Sequence, residues 1–183
     1  MRTFLAYILP IDILNSALEA KNSLTSLNHR DIKWVEDVNL HVTLQFLGEV
    51  NENKLQEIDG VISEMLLTAP AAEFEIQGIE ASPAAQPRVI WIKLECSPER
   101  IKFHQKLASR LKQHCPEIEI KPFKPHITLG RVKDNIPPII LTKMLSYPIK
   151  QQKFISDEIV LFKSILSKKG PQYIPLNEYV SET

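Results

Sequence analysis

Leu40-His41-Val42-Thr43-Leu44 and Pro125-His126-Ile127-Thr128-Leu129 are the two stretches whose reading decides this chain. Each alternates polar and apolar residues and is rich in β-branched side chains, the pattern of a half-buried strand. Side chains on a strand alternate faces, so His41 and Thr43 share one face while Val42 and Leu44 share the other. His126 and Thr128 face together in the same way, opposite Ile127 and Leu129. The apolar members anchor each strand to a core. The polar members leave a patch of one imidazole and one hydroxyl on each strand.

The two stretches stand 85 residues apart, and the spacing holds at other landmarks. Phe4 to Leu9, an apolar run of strand length, falls on the strand-like Val89 to Leu94 when shifted by the same 85. The helical spacing of residues 11–27, opened by Pro10, falls near that of residues 98–114. Further strands are predicted at Ile32 to Val35, Phe74 to Ile79, Arg88 to Leu94, Ile127 to Val132, Lys153 to Ser164 and Tyr173 to Glu178, with Leu40 to Leu47 the clearest. Further helices are predicted over residues 52–67 and 138–146. The order strand, helix, His-x-Thr strand, helix and strand pair thus occurs twice. This predicts a single domain over residues 1–183, α+β in class. Two pseudo-symmetric lobes of mainly antiparallel sheet, with outer helices, would flank a central groove. An approximate two-fold axis would bring the two polar patches face to face.

Composition removes several function classes. Twenty-two basic residues balance 22 acidic ones, so the chain is not a general polyanion-coating protein. The five glycines, Gly48, Gly60, Gly78, Gly130 and Gly170, stand alone, and no phosphate-cradling loop can be built from them. Cys96 and Cys115 lack metal or redox spacing and read as small apolar fillers. No apolar run approaches the ~20 residues needed to cross a bilayer, so the expected setting is cytoplasmic, away from any membrane.

Two histidines converging on one site can hold different protonation states near neutrality, one taking a proton while the other gives one. Two hydroxyls can donate to the oxygens of an anion. Those are the parts an in-line displacement at a phosphodiester requires: a base, an acid and clamps between them. The histidines have no clustered carboxylates or His-x-x-x-His spacing beside them, so no metal and no other cofactor is expected. A nucleophilic Ser or Cys elbow is also missing from the sequence around them.

The chain resembles the two-histidine phosphoesterase superfamily, whose signature is a pair of His-x-Thr/Ser motifs. Within it, the resemblance is to the RNA 2′,3′-cyclic phosphodiesterases, also called 2′-5′ RNA ligases. It is carried by Arg2-Thr3-Phe4-Leu5-Ala6, by Trp34 through Val50, by Phe123-Lys124-Pro125-His126-Ile127-Thr128-Leu129-Gly130-Arg131, and by Gly170-Pro171-Gln172-Tyr173. The acidic residue often found before the first proline is replaced by Tyr7-Ile8-Leu9. The resemblance implies metal-independent hydrolysis of a terminal 2′,3′-cyclic phosphate to a 2′-phosphate, on RNA 3′ ends or nucleotides; a monomer is expected. His41 and His126 would be the catalytic acid/base pair, with His41 favoured as the acid and His126 as the base and the reverse left open, and Thr43 and Thr128 would bind the phosphate. Phe46 and Arg131 stand at the positions of a base-stacking aromatic and a phosphate-contacting arginine. Both lie five residues after a motif histidine, an odd offset that requires a bulge; Gly130 would permit one on the second strand.

A basic run of Lys121, Lys124, Arg131 and Lys133 flanks His126 without an acid, and Lys163, Lys168 and Lys169 form a second patch. An open groove with these features suits single-stranded ends. His29, His104 and His114 read as surface or helix-end residues, and Trp34 and Trp91 as core aromatics. Three other activities stay open at this point: a related enzyme on another cyclic phosphate or RNA 3′ end, reverse 2′-5′ ligation, and RNA-end binding without catalysis.

Overall fold

Local signals start the elements where the sequence places them. Ser97 caps the helix that follows it, its side-chain oxygen accepting from the Arg100 amide at 3.2 Å, with Pro98 at the first helical position. The computed structural model describes residues 1–28, 30–167 and 170–181. In chain order these form β1 (Arg2–Tyr7), α1 (Ile11–Leu27), β2 (Ile32–Trp34), β3 (Val42–Glu49), α2 (Leu55–Leu66), β4 (Glu73–Ser82) and β5 (Val89–Cys96). Then follow α3 (Pro98–Lys112), β6 (His126–Val132), α4 (Pro138–Leu145), β7 (Lys153–Ile155), β8 (Glu158–Leu166) and β9 (Pro171–Val180). Among the described residues no helix is long and apolar enough to cross a membrane.

The strands join into one sheet in the order β7-β4-β5-β6-β3-β1-β8-β9, with β2 added to β6, and every pairing is antiparallel. The fold is α+β. Apolar strand residues such as Leu5, Val42, Leu44, Ile92, Ile127 and Leu129 form one buried cluster with Ile13, Leu24, Ile58, Ile62, Leu107 and Leu111 of the helices.

The strand registers carry the 85-residue spacing in detail. On β1 and β3, Phe4 faces Phe46, Leu5 faces Gln45, Ala6 faces Thr43 and Tyr7 faces Val42. On β5 and β6, 85 residues on, Val89 faces Arg131, Ile90 faces Gly130, Trp91 faces Thr128 and Ile92 faces Ile127. Both ladders skip one residue at the same step, Leu44 in β3 and Leu129 in β6. The outer strands are exchanged between the halves of the sequence: β4 pairs β5, and β8 pairs β1.

The continuous strand expected from Lys153 to Ser164 is broken into β7 and β8, which pair different partners. Ser156 is the reason. Its amide donates to Ala72 and its hydroxyl to Ile8, so the buried residue ties the ends of two separate strands and turns the chain between them. A second tie is Arg100, fully buried, which donates to the Tyr7 hydroxyl at 2.8 Å and to the Pro70 carbonyl. Burial pushes the Tyr7 phenol up to about 12, which keeps it neutral as the acceptor.

Gly130 has ordinary negative backbone angles, so it is not there to permit the bulge; β3 makes the same bulge with Gln45 in the equivalent place. Its role is room. A Cβ at Gly130 would lie 2.6 Å from Ile32 Cγ2 and 3.0 Å from Trp34 Cε3, both on the neighbouring β2. Gly130→Ala is therefore expected to lower unfolding stability in urea by about 1–3 kcal/mol. Gly60→Ala, inside α2 with nothing within 4 Å, is expected to raise it by about 0.5–1 kcal/mol.

Candidate active site

The two histidines are held by the same local device. His41 Nδ1 lies 2.8 Å from the Asn39 carbonyl, and His126 Nδ1 lies 2.7 Å from the Lys124 carbonyl, each two residues back along the chain. A carbonyl only accepts, so each Nδ1 carries a proton and each neutral ring keeps its lone pair on Nε2, as inferred from these partners. The Thr43 hydroxyl then donates to His41 Nε2 at 3.0 Å. His126 Nε2 has no hydrogen-bond partner among the described residues.

The strands that carry them meet at one point. β3 and β6 share a single pair, Val42 opposite Ile127. β2 takes the same edge of β6 from Gly130 onward, which parts β3 from β6 beyond that pair. Continuing the antiparallel register by one residue either way sets His41 opposite Thr128 and Thr43 opposite His126. Both imidazoles and both hydroxyls are half-buried on the face opposite the buried Val42, Leu44, Ile127 and Leu129. Burial lowers the pKa of His41, the Asn39 carbonyl opposes that shift, and the charge of His126 adds to it. Burial also lowers His126, the Lys124 carbonyl opposes, and the charge of Arg131 adds to the shift. The two rings and Arg131 therefore act within one field.

The bulges bring Phe46 and Arg131 to this face. Along residues 41–46 and 126–131 exposure runs in the same sequence, half-buried and buried alternating and then two buried residues in succession. Without the skipped leucines, Phe46 and Arg131 would point into the core. Instead Phe46 is 58% exposed, and its ring centroid lies 5.9 Å from that of Phe4. Arg131 is exposed, and its charge also reaches Tyr173 of β9.

Several neighbours were not assigned from the sequence. Phe4 lies 5.2 Å from His41, and Tyr173 meets the same imidazole edge-on at 5.5 Å. Asn39 lends its carbonyl to His41 and donates its amide to the Pro171 carbonyl at 2.9 Å. Trp91, expected in the core, is half-buried on the site face, its ring centroid 4.6 Å from that of His126. Strand alternation held that signal, since Ile90 and Ile92 on either side are the buried residues. Trp34 does pack against the core.

His104 is a correction too. It lies within α3, not at its end or surface, and is buried against Phe123 with centroids 4.5 Å apart. Burial lowers its pKa, which favours the neutral ring in that apolar stack. His114 sits just past α3 and pairs with Glu57 at 2.9 Å. His29, Lys168 and Lys169 lie outside the described residues. Within the basic run, Lys121 is engaged with Glu119, which leaves Arg131 as the member tied electrostatically to a histidine. Among the described residues no group of three or more His, Cys, Asp or Glu side chains is arranged to hold a metal ion.

Known proteins resemble this chain over most of its length. An RNA 2′,3′-cyclic phosphodiesterase of Thermotoga maritima is 31% identical, covering 97% of this chain and 94% of the relative. One of Archaeoglobus fulgidus is 35% identical over 81% of this chain and 83% of the relative. The crystal structure of TT0787 of Thermus thermophilus superposes with a TM-score of 0.82 at 26% identity, covering 99% of this chain and 98% of that one. The sequence pattern of the 2′-5′ RNA ligase superfamily matches residues 16–166. Because that match spans both His-x-Thr strands and the seam between them, the chain belongs to the 2′-5′ RNA ligase superfamily.

Proposed function

We propose that the protein is an RNA 2′,3′-cyclic phosphodiesterase that opens the terminal cyclic phosphate to a 2′-phosphate, without a metal. The observation that carries this reading is the matched pair of imidazoles. Each is pinned through Nδ1 to a backbone carbonyl, which leaves Nε2 for proton transfer beside one seam. The named relatives support the substrate class. One chain supplies both histidines and both threonines, which suits a monomer. The matching registers of β1–β3 and β5–β6 support a single two-lobed domain with an internal repeat at an offset of 85 residues.

In this mechanism His126 is the base and His41 the acid. The positive charge of Arg131 favours neutral His126, as a base requires. A water oxygen bonds to phosphorus as its proton passes to His126 Nε2. The bond from phosphorus to the 3′ oxygen breaks, and that oxygen takes the proton from His41 Nε2. When His41 is protonated, its Nε2 no longer accepts from Thr43, which frees the threonine hydroxyl to donate to a phosphate oxygen and leaves the Nε2–H for the 3′ oxygen. Thr128 and Arg131 donate from the other strand, and charge-assisted bonds of this kind contribute about 1.5–3 kcal/mol each. Phe46, backed by Phe4, offers a face on which the terminal base stacks.

His41→Ala and His126→Ala are each expected to lower kcat/KM on a 2′,3′-cyclic nucleotide by about 10²–10⁴-fold with an unchanged thermal midpoint. EDTA is expected to leave the wild-type rate unaltered. Retained turnover in either variant defeats the mechanism. With an activated leaving group such as nitrophenolate, which needs no acid, His41→Ala is expected to recover rate and His126→Ala is not.

The pH profile follows from the shifts. Catalysis needs one ring neutral and the other charged, and burial lowers both histidines below 6.5. The rate falls on the alkaline side as the acid loses its proton at its lowered pKa, and on the acid side as the base gains one. A bell-shaped kcat/KM profile displaced to the acid side of 6.5 is expected from initial rates.

A further inference from the structure

We infer that a groove beside the candidate site binds the nucleoside that precedes the cyclic-phosphate nucleotide, so that the protein prefers an RNA end to a mononucleotide. The inference rests on the hydrolase reading and specifies its substrate. The groove has a volume of about 510 Å³, within the range of small-molecule sites. Gly78 and Glu80 of β4 and Lys93 of β5 line one side of it.

Those residues share the face of the histidines. In the sheet Lys93 stands opposite His126, Gly78 opposite Lys93, and Glu80 opposite Trp91. Directly paired residues point to the same side, and the Trp91–His126 ring contact and the 3.0 Å Lys93–Glu80 pair agree with that. The groove thus opens on the face of the site, with Lys93 of its wall beside His126, and its β4 side lies about 10 Å from that histidine's strand, two strand spacings. It is open because β7 pairs only Glu73–Glu75 of β4, which leaves the edge of β4 from Gly78 to Ser82 unpaired. A Cβ at Gly78 would meet nothing within 4 Å. The opposite wall is the segment after α4, which includes Ser146, Tyr147 and Gln151.

The chemistry of the walls selects the occupant. Lys93 and Glu80 neutralise each other, so the groove is not built for a second phosphate. The Gln77 amide can donate to and accept from a base edge or a ribose, Gln151, whose Nε2 donates to the Gln77 carbonyl at 3.5 Å, offers its amide oxygen, and Tyr147 supplies an aromatic ring. With the terminal base on Phe46 in the β1–β3 half, the preceding nucleoside is directed over Trp91 into this groove in the other half.

The test compares kcat/KM on a 2′,3′-cyclic mononucleotide and on a dinucleotide with the same cyclic-phosphate end. The wild type is expected to favour the dinucleotide by about tenfold or more, the scale of one stacked base. Ser146→Trp, which fills the groove from an exposed position, and the double variant Gln77→Ala with Gln151→Ala are expected to bring the ratio near one. Both should leave the mononucleotide rate unchanged. A wild type without preference, a preference that survives both variants, or an equal loss on both substrates overturns the groove assignment while leaving the hydrolase intact. A wild type inert on both substrates instead overturns the hydrolase reading, and the groove assignment with it.

Discussion

One backbone pair, Val42 against Ile127, is the constraint from which the site follows. It is the only register partnership between β3 and β6 among the described residues, and it relates residues 85 apart. Its alignment is enforced by burial, since both side chains are fully buried in the common core. A slip of one residue would send the two histidines inward and the valine and isoleucine out, a change the apolar core does not permit. The site is therefore a by-product of correct core packing. No loop has to close for its parts to be in place.

The repeated backbone carries unequal chemistry. Beside His41 the site is aromatic, with Phe4 in contact with Phe46, Phe162 and Tyr173. Beside His126 it holds one indole, Trp91, and the guanidinium of Arg131. At the position where one strand has Phe46, the other has Arg131. An aromatic wall and a cationic wall thus arise from one geometry used twice, and the difference lies in the side chains alone.

Buried polar groups on the segment that leads to His41 keep the site in shape. The buried Lys21 of α1 donates to the Val35 carbonyl and to Asp37, fixing the segment that leads to His41. Asn39 fixes the same segment through the Pro171 carbonyl, at the start of β9. Each donor has a partner, and removing that partner would strand a desolvated group, which makes the segment stiff. The carbonyl that orients the His41 ring sits between these two anchors.

The order of strands and helices, the sharing of a face by His41 with Thr43 and by His126 with Thr128, and the 85-residue spacing were all legible in the sequence. These depend on local periodicity and on composition, which any stretch of chain carries with it. The need for a bulge before Phe46 and Arg131 followed from their odd offset once the resemblance had marked them, but its place at Leu44 and Leu129 was not legible, because a bulge exists only relative to a partner strand. The break at Ser156, the burial of His104 against Phe123, and the placing of Trp91 over His126 likewise depend on segments distant in the chain. The sequence by itself determined which residues face together along each strand. Only the tertiary structure decided what stands across from them, since pairing joins segments distant in the chain whose register depends on how both pack against the common core.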